Sequence, residues 1–153
     1  MEYKNINYTN STDIYRSLDI FMPDNPSGKI PVFIYFHGGG LESGSKEEIG
    51  AQRFVENNIG FVSVNYRLYP YCRYPDYIWD CALGVKWVME NIEQYANVSE
   101  IFIGGTSAGA YIAMMLCFDR KYLTSCGVDF NKISGFVFNA GQPAAHFNVL
   151  RER

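Results

Sequence analysis

Among 153 residues, the grouping best suited to covalent chemistry is Gly105-Thr106-Ser107-Ala108-Gly109. A serine hydroxyl is a weak nucleophile by itself. It needs a backbone that exposes it, a base that takes its proton, and donors for the negative charge that develops. The G-x-S-x-G spacing suits the first need, because a sharp strand-to-helix bend holds the serine in a strained conformation and projects its side chain from a sheet edge. Positions two before and two after must be small, since strand and helix backbones nearly touch there, and Gly105 and Gly109 supply that clearance. The Ala108 N–H would then sit at a helix N-terminus, where unpaired donors and the helix dipole favour negative charge.

A second grouping, His37-Gly38-Gly39-Gly40, follows an apolar run. Glycines let backbone N–H groups turn toward a substrate oxygen with no side chain in the way. With Ala108 N–H, donors from Gly39 and Gly40 could bind a tetrahedral oxyanion, at ~3 kcal/mol per donor. Either motif alone is weak, since serine and glycine are common in turns and a glycine triplet is usually just a loop. Dinucleotide binding is disfavoured: counted from Gly104, the G-x-G-x-x-G pattern needs a second glycine where Thr106 stands, and no Walker lysine follows. The two motifs together, each ending a buried strand and in the expected order, form a joint signal for a serine hydrolase.

The elements that must position these residues are legible as periods. "KIPVFIYFHGGG" is apolar from Ile30 to Phe36, which suits a strand covered on both faces of a parallel sheet. Segments 2–8 and 15–23 alternate partly as strands, with turn residues at 25–28. Ser45 and Glu48 form a capping box that predicts a helix to about Asn58. Residues 59–68 read as a buried strand. From Pro75, Ile78, Cys81, Ala82, Val85, Val88, Met89 and Ile92 fall at helical spacing, with Asp80, Lys86, Glu90 and Glu93 on the other side. Residues 99–105 form a strand; 108–118, apolar almost all round, form an internal helix; and 133–141 form a further strand. Alternating strands and helices imply a mostly parallel α/β sheet with flanking helices, whose sites lie at the carboxyl edge of the strands.

Hydrophobic content of 48% and charged content of 19% describe an ordinary globular domain that can bury a core. A net charge of −3 with no basic run argues against nucleic acid. No apolar stretch approaches a membrane span, and the polar start has no leader pattern, so a cytoplasmic location is expected. The four cysteines, Cys72, Cys81, Cys117 and Cys126, have no CxxC spacing and there are only two histidines, so no zinc site is expected. Free thiols are the favoured reading, with Cys72–Cys81 as the alternative pair. Neither a metal nor a cofactor is expected.

The chain resembles the hormone-sensitive-lipase-like carboxylesterases of the α/β-hydrolase fold. The resemblance rests on "HGGG" (37–40), "NYRLYPYCRYPDYIWDCALGVKWV" (65–88) and "GGTSAGAYIA" (104–113), and covers about residues 15 to 142. It implies Ser107 as nucleophile and Gly39, Gly40 and Ala108 as oxyanion donors. Gly38, Gly105 and Gly109 would be supports, and His37 a residue that shapes the loop and is not the base. It also implies hydrolysis of small-molecule esters with short acyl or acetyl groups. Tyr71 and Cys72 stand where the family commonly has an acidic residue and a histidine.

In this fold the order is serine, acid, histidine, with the last two on loops after further strands. Residues 1–153 are therefore expected to form the N-terminal part of a single domain, truncated after the strand that follows the nucleophile helix, with acid and histidine outside the chain. His146 is a weak candidate base, better read as a surface or cap-packing residue; Asp119 and Asp129 read as solvated. The last strand would form an open sheet edge with Phe136, Val137 and Phe138 uncovered, which calls for a complementary C-terminal portion or a symmetry mate. The competing readings are an amidase or formamidase of the same fold, and an inactive product or binding subunit.

Overall fold

The computed structural model describes residues 1–47, 50–144 and 146–151. Its centre is a six-stranded sheet built from β1 (Glu2–Asn7), β2 (Ser17–Phe21), β3 (Ile30–Phe36), β4 (Gly60–Val64), β5 (Val98–Thr106) and β6 (Gly135–Asn139), in the order β1-β2-β4-β3-β5-β6. The strands from β4 to β6 are parallel, while β2 pairs antiparallel with both β1 and β4. Parallel neighbours require crossovers, and the helices α1 (Gln52–Glu56), α2 (Asp76–Asn91) and α3 (Ala108–Phe118) lie in those crossovers. A short α4 (Lys121–Ser125) and α5 (Phe147–Arg151) follow. The mostly parallel α/β sheet expected from the sequence is present.

The two faces of the sheet are covered unequally. On one, Val32, Ile34, Phe36, Val62, Val64, Ile101 and Ile103 pack with Val85, Val88, Ile112, Ala113 and Leu116 of α2 and α3. The other face carries a smaller cluster of Tyr35, Phe61 and Ala51, flanked by Phe21, Phe33 and Phe54. Central β3 pairs with β4 through Ile34↔Val62 and with β5 through Ile34↔Ile103, so its carboxyl end meets those of β4 and β5 at one edge.

Three expectations need correction. The helix predicted over 45–58 is confined to Gln52–Glu56, and Glu48 of the supposed capping box lies outside the described residues. Tertiary contacts take the segment's start instead. The Lys46 N–H donates to Asn65 Oδ1 (2.7 Å), Ser63 Oγ donates to the Lys46 carbonyl (2.7 Å), and Lys46 Nζ pairs with buried Asp19 (2.9 Å). Both main-chain groups of Lys46 are therefore withdrawn from any helical ladder. Asp80, assigned to a polar helix face, is fully buried: Arg67 reaches it through Nε (2.7 Å) and a second nitrogen (2.9 Å), and Arg16 adds a contact at 3.0 Å. Period alone cannot show that a carboxylate has cationic partners elsewhere in the chain. Finally, the uncovered edge is only partly uncovered. β6 ends the sheet and Val137 is 49% exposed, but Phe136 stacks on Phe130 (5.7 Å) and Phe138 lies against Phe118 (5.9 Å).

All four cysteines are free thiols, so the alternative Cys72–Cys81 pairing is not formed. Among the described residues, no helix is long and apolar enough to cross a membrane.

Candidate functional site

β5 ends at Thr106 and α3 begins at Ala108, so Ser107 alone makes the bend. Its φ of 55° and ψ of −115° are rare for a residue with a side chain, at a cost of ~1–3 kcal/mol. Two hydrogen bonds help offset that cost: Ser107 N–H to the Asn139 carbonyl (2.9 Å) and Tyr111 N–H to the Ser107 carbonyl (3.0 Å). The crossing is as tight as the glycine spacing demands. A Cβ on Gly105 would lie 2.5 Å from the Gly109 carbonyl carbon and 2.6 Å from Phe36 O, and one on Gly109 would fall on the Phe36 carbonyl. Ser107 is exposed, and no hydrogen bond among the described residues occupies its hydroxyl.

The glycine loop lies directly against this bend. A Cβ on Gly38 would sit 3.5 Å from Ser107 Cβ and 3.2 Å from Thr106 O. Each carbonyl from His37 to Leu41 is taken by a donor. Tyr66 OH donates to His37 O (2.7 Å), His37 Nδ1 to Gly38 O (2.7 Å), and Asn148 Nδ2 to Gly40 O (2.5 Å). Gly39 O accepts from Ser43 N and Oγ (both 3.0 Å) and Glu42 N (3.1 Å), and Leu41 O accepts from Tyr69 N (2.9 Å). Since a carbonyl only accepts, Nδ1 of His37 is the donor in this contact. By contrast, no hydrogen bond among the described residues uses the N–H of Gly39, Gly40 or Ala108.

Gly39 (φ +107°), Gly40 (φ +66°) and Leu41 (φ +69°) adopt positive φ in succession. For Leu41, whose side chain is fully buried, this conformation costs ~1–2 kcal/mol. A loop whose five carbonyls are all engaged, while the N–H groups of Gly39 and Gly40 have no partner among the described residues, leaves backbone donors open to an anion.

The support behind the loop is buried. His37 is 1% exposed and stacks on Tyr66 with ring centroids 4.3 Å apart and planes 8° apart. Tyr66 is followed by Arg67, whose backbone N–H also donates to Asp80 (3.1 Å). The Asp80 hydrogen bond raises the Arg67 pKa above its ordinary value, partly opposed by burial. The ion pair thus fixes the stretch after β4 that delivers Tyr66 to the loop.

A model of the BD-FAE family matches residues 18–138, a span that contains both the glycine loop and the Ser107 bend. The chain belongs to the BD-FAE family. This is a hormone-sensitive-lipase-like α/β-hydrolase family. The BD-FAE chain is 34% identical over 119 residues to tuliposide A-converting enzyme 2, chloroplastic, of Tulipa gesneriana, covering 64% of this chain and 31% of that one. It is 34% identical over 105 residues to kynurenine formamidase of Danio rerio (65% and 33%), and 32% identical over 126 residues to carboxylesterase NlhH of Mycobacterium tuberculosis (76% and 37%). It therefore spans about a third of the length of these curated relatives. Esterase B from Lactobacillus Rhamnosis shares the fold, with a TM-score of 0.74 at 20% identity over 89% of this chain and 45% of that one.

Within this BD-FAE chain, His37, Gly38–Gly40, Gly105, Ser107, Ala108 and Gly109 meet at one corner. His146 is not a surface residue: it is 3% exposed, lies 5.6 Å from the Tyr111 ring, and accepts the Asn148 N–H on Nδ1 (3.3 Å). Asp129 is exposed and caps the turn at 130–132 by accepting from Asn131 N (3.0 Å); half-buried Asp119 pairs with Lys121 (2.7 Å). Sequence reasoning missed Ser43, Tyr66, Tyr69 and Asn148 as loop holders. The Tyr66 position lay inside a quoted motif, whereas no local signal marks Asn148, which reaches Gly40 across 108 residues.

Proposed function

We propose that this chain carries the nucleophile and the oxyanion hole of a serine carboxylic-ester hydrolase for short-chain acyl or acetyl esters. Ser107 Oγ bonds to the ester carbonyl carbon as its proton passes to a histidine. The bond to the alcohol oxygen then breaks, the alcohol takes that proton, and water cleaves acyl-Ser107 in a second, mirrored step. Gly39, Gly40 and Ala108 hold the oxyanion with backbone N–H groups, while His37, Gly38, Gly105 and Gly109 are the supports. On this reading residues 1–153 are the N-terminal part of one α/β-hydrolase domain. The acid and the histidine come from a complementary portion or another copy, since His37 holds the loop and His146 packs beside α5.

One observation supports this reading above the others: an exposed serine at a positive-φ bend abuts a loop whose five carbonyls are all engaged and whose Gly39 and Gly40 amides have no partner among the described residues. The test is turnover of p-nitrophenyl acetate by the chain, with mass spectrometry of the acyl adduct. Without the histidine, the oxyanion hole alone is expected to leave an acceleration of ~10³ over water in wild type and Ser107→Ala alike, with acetyl on Ser107 in the wild type only. No acetyl on Ser107 in the wild type, or acetyl labelling unchanged by Ser107→Ala, sinks the reading. Absence of both turnover and adduct favours a binding subunit.

The kynurenine formamidase relative supports a second reading, an amidase of the same fold. Rates on matched acetate ester and formanilide substrates separate the two.

A further inference from the structure

We propose that Asn148 is a positioning residue for the glycine loop, holding the Gly40–Leu41 peptide in the orientation that keeps the Gly40 carbonyl out of the anion-binding face. This rests on the hydrolase reading for its effect on rate, though not for its structural part.

The loop carbonyls are not held alike. Gly38 O and Gly39 O are tied within the segment from His37 to Ser43, and Leu41 O by a backbone amide. Gly40 O depends on one side-chain amide from α5, beyond the span that the family model matches. Asn148 is 6% exposed, and a Cβ on Gly40 would lie 3.1 Å from its Nδ2. Its Oδ1 is buried and has no partner among the described residues. A buried acceptor left unpaired is unfavourable, and the bond from the same amide's nitrogen to Gly40 O helps offset that cost.

That bond opposes a specific motion. A peptide plane turns by opposite changes in ψ of the residue before it and φ of the residue after it. Turning the Gly40–Leu41 plane would return Leu41 from φ +69° to the negative φ that a leucine prefers. Gly40, lacking a side chain, offers no resistance. The same turn would swing the Gly40 carbonyl oxygen to the side where the Leu41 N–H of the same peptide now lies; the Gly39 and Gly40 N–H groups would stay in place, with a negative dipole end brought beside them to oppose a developing oxyanion. Strain at Leu41 therefore pulls toward the inactive orientation, and Asn148 holds against it.

An interaction that matters only when the oxyanion forms changes kcat and leaves KM unmoved. The experiment compares wild type, Asn148→Ala and Asn148→Asp, the last keeping the volume while facing Gly40 O with an oxygen. Crystal structures report φ of Leu41, and p-nitrophenyl acetate kinetics report kcat and KM separately. Expected are a negative φ at Leu41 in Asn148→Ala, a kcat lower by about tenfold or more in both variants, and KM within about twofold. Leu41 remaining at positive φ in a folded Asn148 variant overturns the proposal, as does a loss confined to KM. If Asn148→Ala does not fold, Asn148→Asp carries both readouts. A wild type that forms no acetyl adduct on Ser107 refutes the hydrolase reading alone, and φ of Leu41 still decides the clamp.

Discussion

Two margins of this sheet differ in how far the chain satisfies itself. At the corner formed by the glycine loop and the Ser107 bend, backbones approach within the reach of a methyl group and every loop carbonyl has a donor. At the β6 margin, Val137 is 49% and Phe118 77% exposed, and the uncharged strand GFVFN ends the sheet. On the hydrolase reading proposed above, donors for a transient charge cannot wait for a partner to order them, because reorganisation at the moment of reaction would cancel the benefit. An apolar margin can wait, since burial there is non-directional and any well-shaped apolar cover contributes.

The contrast is most severely tested at Gly109. Gly109→Val would set a branched side chain onto the Phe36 carbonyl, and no rotamer relieves a backbone collision. Loss of the native fold, read by circular dichroism and solubility, is expected; a folded, cooperative Gly109→Val would mean the corner is looser than described.

Asp80→Ala comes next. It leaves the Arg16 and Arg67 guanidinium groups without their buried carboxylate, and a loss of about 3–5 kcal/mol is expected in urea unfolding. A loss below about 1 kcal/mol would show that the ion pair does not brace the Tyr66 segment.

A smaller effect separates the closed core from the open margin by pH. Burial first, then the nearby Asp80 charge, pushes the Cys81 thiol pKa well above its ordinary value; burial, then Cys81 and Asp80, does the same to Tyr8. Both groups hold their protons longer when folded than when unfolded. Their contribution is therefore complete below the unfolded thiol value of about 8.5 and is lost as pH rises toward the folded values. Urea midpoints should fall above that pH, and Cys81→Ala should flatten the first part of the decline. An equal slope in Cys81→Ala would assign the alkaline loss elsewhere.

The smallest effect is expected at the open margin. Val137→Lys should change stability by no more than about 0.5 kcal/mol, because the side chain is already half in water. A charge on the edge strand should also reduce self-association, measured by sedimentation velocity. A larger destabilisation would show that β6 is more integral than its exposure suggests.

The legibility of the chain follows the same division. The strand over 30–36, the helices after Pro75 and Ser107, and the strand 133–141 were readable because local period and glycine spacing suffice to define them. The helix predicted over 45–58 formed only at Gln52–Glu56, because Asn65, Ser63 and Asp19 claim Lys46 from outside its own segment. Asp80 has a polar residue's signature and a core residue's surroundings, and the two arginines that permit this come from β4's exit and from just before β2.

What the amino-acid order determined was the placement of small residues: Gly105, Gly109 and the glycine triplet say where backbones must meet, since only a missing Cβ allows such an approach. What only the tertiary structure decided was which groups hold those backbones once they meet. Hydrogen bonds from Tyr66 and Asn148 join positions 29 and 108 residues apart. No local pattern encodes such contacts, because they exist only after the intervening chain has folded.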